Sequence, residues 1–165
     1  MFRNKRAVVV IILGIILAAV ALNRFYYYIQ LDHWTAQQKA VQAAKKGAGI
    51  TQVDRIDSYV WDEAYYVVTG KNKDGEQLLV WMREDGSRLE WELASHGSNR
   101  QQIRNLVEGR SPGAAILRIQ PGKMKGAYVW EVFYKYNDGS GERYFYDFYQ
   151  WKDAKYIVTY KMSKH

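Results

Sequence analysis

Residues Ala7 to Leu22 form an uninterrupted apolar run of 16, uncharged throughout and preceded by Arg3, Lys5 and Arg6. A helix on the surface of a water-soluble domain buries only one stripe, so a segment that is apolar on every side suits lipid. At 1.5 Å per residue the run spans roughly 24 Å, short of the ~30 Å hydrocarbon core, and its flanks must contribute to any crossing. Phe25, Tyr26, Tyr27 and Tyr28 follow Arg24, and aromatic rings there suit the membrane–water boundary. Ala19-Val20-Ala21 has the small-x-small form that signal peptidase accepts, so cleavage after Ala21 is the alternative. The absence of Pro and Gly between Ile15 and Lys46 favours a retained anchor. Basic residues ahead of the run keep the N-terminus in the cytoplasm. The expected layout is a tail at 1–6, an anchor at 7–28 and an extracytoplasmic remainder, in a single-pass protein of the cell membrane.

The chain has no cysteine, which excludes disulfides, thiolate metal sites, a cysteine nucleophile and lipidation at cysteine. The formal charge is +7, of which Arg3, Lys5 and Arg6 supply three, leaving +4 on the rest. That excess suits solubility, and equally an anionic lipid or wall polymer.

From Asp32 to Lys46 good helix formers run without a breaker, Lys45 and Lys46 fall in the last turn, and Gly47 is the expected end. The helix continues the membrane segment as one stalk. The pattern then changes to period two. Strands are expected at Ile50 to Val60, Tyr65 to Thr69, Leu78 to Met82 and Leu89 to Leu93, with turns at Gly70 to Gly75 and Asp85-Gly86. The same order recurs. Ser98 with Gln101 reads as a capping box, Gln101 to Glu108 as a short helix and Gly109 as its stop. Strands follow at Ala114 to Gln120, Ala127 to Tyr136, Arg143 to Tyr149 and Tyr156 to Tyr160, with Asn137-Asp138-Gly139 turning the central hairpin. At a shift of 63 to 64 residues Gln37-Gln38 faces Gln101-Gln102, Ala64-Tyr65 faces Ala127-Tyr128, and Asp74-Gly75 faces Asp138-Gly139. A fixed period with turns in register argues for duplication. The expectation is α+β, with one unit at 29–94 including the stalk helix and a second at 95–165, each too small to be stable without the other.

The stretch Tyr65-Tyr66-Val67-Val68-Thr69-Gly70, then Asp74-Gly75, then Leu78-Leu79-Val80-Trp81, with a basic N-terminal anchor and Val129-Trp130-Glu131-Val132 in the second half, resembles the YpmB/TseB-like family of Bacillus-type bacteria. The recognisable residues are concentrated between Val53 and Leu93. The second half is richer in Tyr and Trp than the family pattern, and Arg83 to Gly86 depart from it. The resemblance implies two tandem PepSY-like (cystatin-like) repeats, each a helix packed on a curved antiparallel sheet. It also implies a membrane-anchored regulator of cell-wall elongation, and so of peptidoglycan synthesis, that acts by contacting a penicillin-binding transpeptidase.

The residues themselves offer little for catalysis. His33, His96 and His165 are dispersed and no pair has metal-ligand or triad spacing. Glu63, Glu131 and Asp147 are the carboxylates a general acid–base pair would draw on, but Glu131 alternates with Trp130 and Val132, which places it on a solvated strand face. The Asp-Gly pairs at 74 and 138 read as hairpin turns rather than calcium loops. Ser111-Pro112-Gly113 and Pro121-Gly122-Lys123 punctuate strand ends. There is no phosphate loop or nucleophile elbow, and a non-enzyme without metal or cofactor is expected. The aromatic excess is the informative signal. Between Tyr144 and Trp151 both alternating faces carry rings, so the second face is covered by the first repeat, a second copy or a partner. Trp130, Tyr134, Tyr144, Tyr146, Phe148 and Trp151 are the candidate interface. Arg143, Lys152 and Lys155 beside them also suit carbohydrate or anionic wall polymer. Single-stranded nucleic acid would fit the same chemistry, but the expected location excludes it. Inhibition of an extracytoplasmic protease is a further alternative that PepSY-like architecture suggests.

Overall fold

The computed structural model describes residues 3–139 and 141–163, with side chains at all of these except 3–6 and 28–34. The charges of Arg3, Lys5 and Arg6, the ring of Tyr28, the side chain of His33, and His165 therefore lie outside the described residues. The chain divides into two units, 1–38 and 39–165. Helix α1 runs from Arg3 to Ala48. Within the first unit, Ala7–Tyr27 is apolar and long enough to cross a membrane, and none of it is buried against protein.

The second unit begins with the last turns of α1. Ala40 and Ala44 are fully buried, and Gly47 lies so near Leu89 that an added Cβ would touch that side chain at 3.2 Å. Gly47 is therefore a packing glycine inside the helix. The stop falls two residues later, at Gly49, whose φ of 68° a β-carbon would oppose.

Four strands follow: β1 (Ile50–Val60), β2 (Ala64–Asn72), β3 (Gln77–Arg83) and β4 (Leu89–Leu93). They form an antiparallel sheet in sequence order, as do β5 (Ala115–Met124), β6 (Ala127–Asn137), β7 (Glu142–Gln150) and β8 (Tyr156–Lys161). A 3-10 turn (Ala94–His96) and helix α2 (Arg100–Arg110) connect the two sheets. The hairpin glycines Gly75 and Gly139 hold matching positive φ values of 80° and 89°, as the 64-residue shift between them anticipates.

Three further local readings change. The capping box belongs to Asn99 and Gln102, one residue on from Ser98 and Gln101. Ser98 is instead buried, donating to the Trp151 carbonyl at 2.6 Å and accepting from the Trp130 indole N–H at 3.0 Å. Gly109 is inside α2, not past its end. Pro121-Gly122-Lys123 does not end a strand: Pro121 pairs with Trp130 and β5 runs on to Met124. A proline is tolerated there because β5 is an edge strand, where one row of N–H groups has no ladder partner to lose.

One core joins the two sheets. Tyr59, Tyr65, Val67, Leu79 and Trp81 from the first pack in a single buried cluster with Ile103 and Val107 of α2 and with Val129, Trp130, Val132, Tyr134 and Phe145. Residues 66, 68, 78, 80 and 82 lie on the opposite face of the first sheet by strand alternation, and all are buried as well.

Candidate interaction surface

The seam between the sheets is built from polar groups as well as rings. The Trp81 indole stacks on Tyr128 with centroids 4.2 Å apart and meets Trp151 edge-on at 5.5 Å. Its N–H donates to the Gly122 carbonyl at 3.1 Å. The buried Asp57 carboxylate of β1 receives Arg55 and Arg100, and Arg100 also donates to the Ile119 carbonyl. Asp62 accepts the Lys125 backbone N–H at 2.6 Å.

Lys123, almost wholly buried, reaches from β5 to Glu90 on β4, which also accepts the Tyr128 hydroxyl at 2.7 Å. The hydrogen bonds from Lys123 and Tyr128 hold the Glu90 carboxyl down at about 2, below its ordinary 4.5. A carboxyl depressed by folding stabilises above its unfolded value and loses that contribution as pH falls through its folded value. Thermal stability should therefore decline from about pH 4.5 toward pH 2. In Lys123→Met that slope is expected to flatten, as a melting series across the window would show.

The carboxylates do not form an acid–base pair. Glu131 is 1% exposed, not on a solvated face. Arg118 donates to it at 2.8 Å and Gln120 at 3.1 Å. Burial pushes its carboxyl up, and Arg118 and Gln120 draw it back. Asp147 pairs in register with Val132 and so projects from the opposite face. There it accepts the hydroxyls of Tyr134 and Tyr149, each at 3.2 Å, and that of Thr159. Glu63 takes the Tyr65 hydroxyl at 2.6 Å and pairs with Arg83 at 3.3 Å. No cluster of three or more metal-ligating side chains occurs among the described residues.

Of the six interface candidates, Trp130, Tyr134, Phe148 and Trp151 are buried. Trp130 and Tyr134 lie in the common core with α2, and the Trp151 ring lies against Gly97. These four are covered from within the chain, by α2 and Gly97 and also by rings from the first sheet's side, Trp81 against Trp151 and Trp61 against Phe148. Tyr146 is half-buried and Tyr144 exposed. These two lie on one sheet face with Phe133, which stacks on Tyr144 at 5.4 Å and on Tyr146 at 4.6 Å. Trp61, from the β1–β2 turn, adds to the ladder: its ring is 5.6 Å from Tyr146, 4.8 Å from Phe148 and 5.2 Å from Tyr160. Trp61 and Tyr160 were not singled out from sequence. Trp61 sits in a turn outside any periodic pattern, with only Asp62 after it to mark the turn. The cations nearby are engaged within the chain: Arg118 with Glu131, Lys135 with Glu142 and Lys161 with Asp138.

An N-terminal apolar helix followed by two four-stranded antiparallel sheets, with an exposed aromatic ladder, defines an α+β class of protein with a surface suited to contact. Residues 39–83 match the family model described as "Cell wall elongation regulator TseB-like domain". The chain is 26% identical over 159 residues to the "Probable cell wall elongation regulator TseB" of Bacillus subtilis (strain 168), covering 94% of this chain and 99% of that protein. The solved "YpmB protein from Bacillus subtilis" shares the fold at a TM-score of 0.66 and 23% identity, covering 76% of this chain and 96% of that one. The chain is thus similar to the YpmB/TseB-like proteins, over residues 39–83 in the family model and over nearly its whole length in the Bacillus relative.

Proposed function

We propose that the protein regulates cell-wall elongation as a non-enzymatic, single-pass membrane protein with its N-terminus in the cytoplasm. Its extracytoplasmic part is two tandem PepSY-like repeats, 29–94 and 95–165, and it acts by docking on a penicillin-binding transpeptidase. The observation that carries this reading is the near full-length similarity to a protein named as a probable cell wall elongation regulator. The apolar helix supports the anchor, and the aromatic ladder supports a protein contact. Phe133 stacks on both Tyr144 and Tyr146, so ring faces of the ladder are already taken within the chain. A sugar stacks on a ring face, and the ladder offers few free ones. This favours a protein over wall carbohydrate.

The test is in-membrane crosslinking and pull-down of the full-length chain beside a Tyr144→Ala, Tyr146→Ala variant. These two positions replace Trp151, whose removal would open the core. Recovery of a penicillin-binding protein with the wild type, reduced about tenfold or more in the folded variant, is expected. Recovery of wall polymer alone would put the carbohydrate reading in its place.

A further inference from the structure

A cavity of about 800 Å³ opens where the β5–β6 turn and the β7–β8 turn meet β4 and the following 3-10 turn. Its wall includes Met124, Val129, Trp151 and Ile157, an apolar lining of a size that takes several side chains or a small ligand. The rim is polar. Lys125 and Lys152 stand there, exposed and without an ion-pair partner among the described residues, in contrast to Lys123, Lys135 and Lys161. Glu92 and the Gln150 amide share the rim. Trp151 adds a second observation. It is 3% exposed, and its indole N–H has no acceptor among the described residues. A buried donor left without an acceptor is destabilising, and it marks this wall as polar as well as apolar.

We propose that this cavity receives a short segment of the protein partner, an apolar side chain next to an acidic one. The apolar residue fills the Met124–Val129–Ile157 lining and the carboxylate meets Lys125 and Lys152. The mixture of groups selects the class of occupant. An anionic polymer would use the two lysines but leave the apolar wall of Met124, Val129 and Ile157 unused. A peptide brings N–H donors for Glu92 and Gln150, carbonyls for a donor such as the Trp151 indole, and apolar bulk. The inference rests on the docking reading above and specifies what the partner inserts. It is separate from the aromatic ladder, which lies along Phe133, Tyr144 and Tyr146.

The test selects a random heptapeptide phage library on the full-length protein in lipid nanodiscs. Two variants run in parallel: Lys125→Glu with Lys152→Glu, which reverses the rim, and Ala127→Trp, which plugs the mouth from an exposed position. Melting curves establish that both are folded. Enriched peptides should pair an apolar with an acidic residue and lose binding tenfold or more to each variant. No enrichment, or enriched peptides indifferent to both variants, overturns the proposal. The same variants in the transpeptidase pull-down separate the two readings. A partner recovered equally by wild type and variants refutes the cavity and leaves docking intact, whereas no partner even with wild type refutes docking itself.

Discussion

Gly122→Ala is expected to lower the unfolding midpoint by roughly 10–15 °C, the effect of about 3 kcal/mol in a unit of this size. A Cβ at position 122 would fall inside the Tyr59 ring contact, at less than the 3.0 Å that real Cβ atoms respect. Tyr59 has no room to yield, being fully buried in the shared core. The backbone at 122 is equally constrained, since its carbonyl accepts the Trp81 indole N–H. The clash therefore acts where the two sheets meet. Gly109→Ala is the control: it sits in α2 with nothing within 4 Å of an added Cβ, and should stabilise by about 0.5–1 kcal/mol through helix propensity. In Tyr59→Ala, Gly122→Ala the two costs should fall well short of their sum, because the cavity left by one accepts the methyl of the other. A Gly122→Ala midpoint within 2–3 °C of wild type would mean that the sheets are not locked as described.

The second large effect is at Asp147. It is fully buried and accepts three hydroxyls, from Tyr134, Tyr149 and Thr159. Asp147→Ala removes the common acceptor and leaves Tyr134 only Ser111 and Tyr149 only Arg110 as side-chain partners, so a loss of about 2–3 kcal/mol is expected. Asp147→Asn keeps an acceptor oxygen and should cost less than half as much. Denaturant midpoints with unchanged slope would measure both. Tyrosine titration gives a second readout. Burial first and the Asp147 charge second raise both phenols, Tyr134 to about 12. In Asp147→Asn the charge is gone, and both should ionise at lower pH than in the wild type. Wild-type stability in Asp147→Ala would show that the carboxylate is not the acceptor holding these hydroxyls.

How far the sequence reached can be seen at particular residues. The hairpin at Leu78 to Leu93 and the Asp-Gly turns were legible because period-two alternation and turn chemistry are local properties. Helix ends were legible to within one or two residues. Asn99 capped in place of Ser98, because both have capping side chains and only the tertiary demand of Trp130 and Trp151 on the Ser98 hydroxyl decides between them. Glu131 illustrates the harder limit. Alternation correctly set it opposite Trp130 and Val132, but whether that face meets water depends on β5 bringing Arg118 and Gln120 over it.

The sequence by itself determined the apolar N-terminal helix, the α+β class, the doubled order of elements and the resemblance to YpmB/TseB-like proteins, all of which follow from local periodicity, turn residues and short motifs. Only the tertiary structure decided which rings remain outside. Trp130, Tyr134, Phe148 and Trp151 went into the core while Tyr144 and Tyr146 stayed at the surface with Trp61. The reason is that burial belongs to pairs of surfaces: a strand's pattern says that a face is apolar, and contacts distant in sequence settle what covers it.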